Sequence, residues 1–100
     1  MAVAVQGVTT SFVLPAATTT QLSNANNGRT YLLITNDDQV NSLRVAFGTG
    51  TEANATTGHI LPPSAPNVTS YMEIIGPAVP KGAVSAWPVA GTPQISYTEA

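Results

Sequence analysis

The sequence predicts an all-β domain, a small antiparallel β-sandwich or jelly-roll-like barrel of about six to eight short strands with little or no helix. Three observations carry that prediction. No window sustains apolar residues at three-and-four spacing, and eight prolines interrupt the stretches where a helix could run. Short runs of β-branched, aromatic and aliphatic residues recur along the whole chain. Between them lie clusters of Gly, Pro, Asn and Asp, the residues that close turns.

The elements follow in order. Residues 11–14 (SFVL) form a short run stopped by Pro15. After the turn-rich residues 23–28 (SNANNG) comes the strongest strand, residues 29–35 (RTYLLIT). Thr30, Leu32 and Ile34 share one face and Tyr31, Leu33 and Thr35 the other, which suggests a central strand covered on both sides. Residues 36–39 (NDDQ) read as a turn, and residues 43–47 (LRVAF) as a strand with Leu43, Val45 and Phe47 inward. Residues 48–58 (GTGTEANATTG) are almost free of apolar side chains and make the longest loop, a length that is usually functional or mobile. Ile60-Leu61 is followed by extended backbone through Pro62, Pro63 and Pro66. Residues 69–75 (TSYMEII) make a further strand ended by Gly76-Pro77, and Pro80-Lys81-Gly82 suits a tight turn. Residues 84–89 (VSAWPV) must be an edge or end-of-strand segment, because Pro88 has no amide to donate. Residues 94–98 (QISYT) alternate, with Ile95 and Tyr97 inward.

Residues 1–10 stand apart from a single domain over residues 11–100. Residues 2–8 are apolar and small-sided. They form either a first strand or an extended arm that docks on a neighbouring chain by strand addition.

Composition argues against chemistry. The 100 residues hold three basic side chains, five acidic ones, one histidine and no cysteine, against 21 Thr and Ser. Acid–base, metal and nucleophilic catalysis draw on clusters of the residue types that are scarce here, so the chain is expected to be no enzyme and to need no cofactor. A net charge of −2 with three scattered cations leaves no footprint for nucleic acid. No apolar run reaches membrane-spanning length, and residues 1–6 lack the basic start of a signal peptide, so a soluble protein made in the cytoplasm is expected. Charged residues are 8% of the chain against about 25% in an average domain. Such a surface is either solvated by Thr, Ser and Asn or meant to meet other protein.

The candidate sites are few. Asp37-Asp38 reads as a turn; a hard cation there would need further oxygens, such as the carbonyls of Asn36 and Asn41, and the spacing matches no known loop. His59 has no second His or Cys to share a metal. Residues 54–56 and 67–69 fit the glycosylation sequon at a frequency expected by chance. No Gly-x-Ser-x-Gly elbow is present. Tyr31, Tyr71 and Tyr97 fall within strand patterns and read as core, while Trp87 beside Pro88 reads as the exposed, interface-forming aromatic.

Four segments taken in order, residues 28–36 (GRTYLLITN), 45–48 (VAFG), 58–63 (GHILPP) and 80–86 (PKGAVSA), resemble small structural proteins of tailed bacteriophage virions. That resemblance, one of spacing over residues 27–98, implies a β-sandwich that decorates the capsid as a cement protein or sits in a fibre, without activity or cofactor. It implies the major capsid protein as partner, a homotrimer, and a place on the capsid surface. Ala2, Val3, Ala4, Val5 and Val8 are then the expected shell-contact arm. Trp87, Pro88, Thr49, Glu52 and Asn54 are the expected subunit contacts or outer tip. The competing expectation is a tail, fibre or adhesin module that binds a host-surface glycan, with a free-standing bacterial carbohydrate-binding domain third.

Overall fold

A computed structural model describes residues 8–100. Eight strands follow one another: β1 (Val8–Val13), β2 (Thr20–Ser23), β3 (Tyr31–Asn36), β4 (Leu43–Phe47), β5 (His59–Leu61), β6 (Ser70–Ile75), β7 (Val84–Pro88) and β8 (Gln94–Glu99). One three-residue 3-10 turn, Gly76–Ala78, is the helical content of the described residues.

The strands form two four-stranded sheets, β1-β8-β3-β6 and β2-β7-β4-β5, and every pairing is antiparallel. First pairs with last, second with seventh, third with sixth and fourth with fifth. The chain is therefore one long antiparallel ribbon folded at β4–β5 and rolled so that successive pairs fall alternately in the two sheets. That is the order of an eight-stranded jelly roll.

Period-two alternation sets what each strand buries. In β3, Leu32, Ile34 and Asn36 point inward, and in β8 Ile95 and Tyr97 do so. They meet Leu43 and Val45 of β4 and Val84 and Ala86 of β7. Each large aliphatic side chain buried this way contributes roughly 2 kcal/mol. The outer face of β3 differs from expectation. Tyr31, Leu33 and Thr35 are half-exposed, because β3 is central within its sheet but no described layer lies over it.

The other sheet is covered on its outer side by the long loop after β4, which is anchored rather than free. Ala53 is fully buried, its amide donates to Ser85 Oγ at 2.9 Å, and its carbonyl accepts from Thr19 Oγ1 at 2.7 Å. Gly58 closes the loop at φ +123°, and a Cβ there would lie 3.0 Å from the Val45 carbonyl oxygen.

One strand expectation is corrected, and one of two alternatives is selected for β7. The first strand begins at Val8 rather than at residue 11, with backbone pairing from Val8 to Glu99 through Val13 to Gln94. β7 lies inside its sheet between β2 and β4. Its proline is tolerated because β2 pairs only as far as Ala86, so Pro88 sits at the strand end.

Candidate interaction surface

Most polar side chains of the fold are spent internally. Arg29, at the approach to β3, is fully buried. Its Nη1 donates to the carbonyls of Pro80 (2.6 Å) and Gly82 (2.9 Å). Its Nη2 donates to the Asn24 carbonyl (2.9 Å) and Ser23 Oγ (3.2 Å), and stands 3.5 Å from Glu99 Oε1. Glu99 also accepts from Ser23 Oγ, Asn26 Nδ2 (2.8 Å) and Tyr97 Oη (2.9 Å). Partial burial pushes the Glu99 carboxyl up, but these donors and the guanidinium together hold it below its ordinary value. Burial and the bond to Glu99 push the Tyr97 phenol up to about 12.

A second latch closes the opposite end of β3. Asn36 Nδ2 donates to the carbonyls of Asn41 (3.0 Å), Leu61 (3.3 Å) and Pro62 (2.9 Å), and its Oδ1 accepts from the Asp38 amide (2.9 Å).

The acidic pair does not converge on a common point. Asp38 accepts from the amides of Val40 (2.7 Å) and Asn41 (3.2 Å), which hold its carboxyl below the usual range, the Val40 bond foremost. Asp37 accepts from Ser96 Oγ at 2.6 Å. The carbonyls of Asn36 and Asn41 are taken by Ser64 Oγ and Asn36 Nδ2. Among the described residues no three His, Asp or Glu side chains gather as metal ligands. His59 is exposed on β5, its ring centroid 6.5 Å from that of Phe47.

The surface that is left open lies where the two sheets part. β5 is the edge of one sheet and β6 the edge of the other, and residues 62–69 connect them. Between them runs a cleft of about 830 Å³ lined by Ile60, Pro62, Val68, Tyr71, Met72 and Glu73 among others. Three large apolar side chains of the lining face solvent: Ile60 at 57% exposure, Val68 at 67% and Tyr71 at 59%. Glu73 is the single charge in the wall and accepts from Tyr31 Oη at 2.7 Å. A hydroxyl bridges the cleft end of β6 to β3: the Ser70 amide donates to Ser64 Oγ (2.8 Å), which donates to the Asn36 carbonyl (2.6 Å).

Comparison with family models, with curated proteins and with solved structures returns no match.

The expected site residues fall into three groups. Thr49, Glu52 and Asn54 are exposed on the long loop, where Glu52 accepts from the Gly50 amide at 3.0 Å, the contact that does most to lower its carboxyl. Trp87 is half-buried, whereas Pro88 is fully buried and offers no surface to another chain. Ala2, Val3, Ala4 and Val5 lie outside the described residues, and Val8 is the first residue of β1. Tyr71 was expected in the core with the other tyrosines, but only Tyr97 is there. The signal that locates Tyr71 is Glu73: with a charge two residues on, the alternation turns Tyr71, Glu73 and Ile75 outward together.

Proposed function

We propose that this chain is a non-enzymatic structural protein of a bacteriophage virion, a decoration or cement protein that binds the outer face of the major capsid shell in many copies. The observation that carries the reading is the open cleft. Exposed large apolar side chains gathered at one place on a monomer mark a surface for other protein, and here they sit on a domain with very few charges to keep copies apart. The ordered resemblance of four segments to virion proteins adds fold-level analogy, and jelly rolls are a recurrent capsid architecture. Repetition on a symmetric lattice lets a modest patch act with avidity.

The test is the copy number of this chain in a density-purified particle fraction, relative to the major shell protein. A simple ratio to the shell protein is expected. A handful of copies per particle would move the chain to a tail or fibre, and absence from particles would overturn the reading.

One observation favours the glycan-binding alternative. Tyr71, Glu73, Leu33, Thr35 and Thr69 line a shallow pocket of about 290 Å³ on the outer face of the β1-β8-β3-β6 sheet. An exposed ring beside hydroxyls and a carboxylate is the composition of a sugar platform. Glycan-array binding that is lost in Tyr71→Ala would select this alternative.

A further inference from the structure

The free edge of β6 carries a specific offer. The Gly76 amide donates to the Thr30 carbonyl at 2.8 Å, which fixes the parity of the β3–β6 ladder. With Leu32 opposite Ile74 and Ile34 opposite Met72, those two β6 residues bond to β3. Tyr71, Glu73 and Ile75 therefore turn their amides and carbonyls away from β3, toward the open side. No described strand pairs with that edge. Beside it Met72 and Ile74 pack against the core but stay half-exposed, because the sandwich is open along the cleft. The site asks for one extended strand with small apolar side chains on the face turned to the cleft.

The chain contains such a segment. Residues 2–7 (AVAVQG) carry no charged side chain and alternate Val3 and Val5 with Ala2 and Ala4. We propose that residues 2–7 of one copy add as a strand to the open edge of β6 in a second copy, with Val3 and Val5 filling the cleft beside Met72 and Ile60.

Reach decides that the acceptor is another copy. Val8, Glu99, Leu32 and Ile74 lie on one rank across the sheet, so a strand outside β6 is four inter-strand spacings from Val8, roughly 19 Å. Val5 is three residues from Val8 and extends at most about 11 Å, and Val3 reaches about 18 Å. Neither arrives at its own β6 with chain left to pair. Charge decides against the simplest homotypic contact: two β6 edges paired about Glu73 would set two carboxylates opposite each other. Because the donor segment leads into β1 and the acceptor is β6, at opposite edges of one sheet, the contact is head-to-tail and generates a closed ring or an open chain. This inference does not depend on the virion reading.

The experiment uses the full chain, whose lack of cysteine makes cross-linking specific. Val5→Cys and Met72→Cys proteins, whose side chains share the cleft face, are mixed and oxidised, with Val5→Cys and Val13→Cys as the control pair at the far edge of the sheet. A disulfide-linked species of twice the chain mass is expected for the first pair at several times the yield of the control. In sedimentation, the parent chain is expected to self-associate, and both deletion of residues 2–7 and Ile60→Glu to leave monomers with an unchanged far-UV spectrum. Equal cross-linking in the two pairs, or a monomeric parent chain, overturns the proposal. Cross-linking of Val5→Cys to shell protein in purified particles, with none between copies, overturns it in favour of the shell as the segment's partner.

Discussion

Arg29 is one of three cations in the chain, and the fold buries it completely. Its planar fork ties three separate segments together, through the carbonyls of Asn24, Pro80 and Gly82 and the carboxylate of Glu99. Removing it strands all of these acceptors. Arg29→Ala is expected to lower stability by about 3 kcal/mol in urea unfolding, and Arg29→Lys to recover little, since one ammonium cannot span three carbonyls and a carboxylate. A loss under 1 kcal/mol would show the latch to be incidental. The acids beside it make stability depend on pH at both ends. Glu99 is held below its unfolded value, so its contribution is present above the ordinary carboxylate pKa and is lost as pH falls through the lower folded value. Tyr97 is held up at about 12 against an ordinary 10.0, so its contribution is complete below pH 10 and lost as pH rises through about 12. Thermal unfolding from pH 2 to 12 is expected to give a plateau that falls at both ends. Glu99→Gln is expected to weaken the acid limb, and Tyr97→Phe the alkaline one.

At the scale of elements, the loops on either side of β5 behave oppositely. The loop of residues 48–58 has almost no apolar content, yet buried Ala53 and its bonds to Thr19 and Ser85 tie it across the outer face of β7. Gly58 lets it return to β5 at a positive φ and within van der Waals range of β4 backbone. Gly58→Ala therefore meets both strain and a clash, and a loss of about 2 kcal/mol in equilibrium unfolding is expected. The connection from β5 to β6 instead leaves its sides open, and the exposed apolar groups gather there. Edge strands need protection, and Glu73 at the middle of β6 supplies a charge that discourages self-pairing. Glu73→Val removes it, and concentration-dependent aggregation seen by light scattering is expected to rise.

For the whole molecule, the nested ribbon makes most contacts non-local, because β1 closes on β8 and β2 on β7. Such a topology is slow to form, since loop closure precedes the contacts that reward it. Its stability is also uneven. Strands β3 and β8 have neighbours on both sides and bury full core faces, whereas β5 has three residues and one neighbour. In native-state hydrogen exchange, amides of β3 and β8 are expected to open only with global unfolding, and those of β5 by local fraying. Uniform protection across both sheets would contradict this. The same unevenness places the candidate site, because the cleft lies where the least-paired strand of one sheet meets the free edge of the other.

The all-β class was legible in the residues because it rests on local physics: proline forbids helix interiors, and alternation assigns faces in residues 31–35, 43–47 and 94–98. Those strands and their inward residues Leu32, Ile34, Leu43, Val45, Ile95 and Tyr97 stand as the pattern places them. Even Pro88 marked a strand end correctly. What the chain could not announce is which strands become neighbours. Pairing β1 with β8 and leaving β6 at an edge are decisions of topology, made by long-range packing that no local window contains. Burial of Arg29 and Asn36 follows from the same decision, since a polar side chain enters the interior only where distant carbonyls converge to satisfy it. Exposure of Ile60, Val68 and Tyr71 follows from it too. The open cleft exists because two edges meet without a strand between them, and only the tertiary structure could decide that.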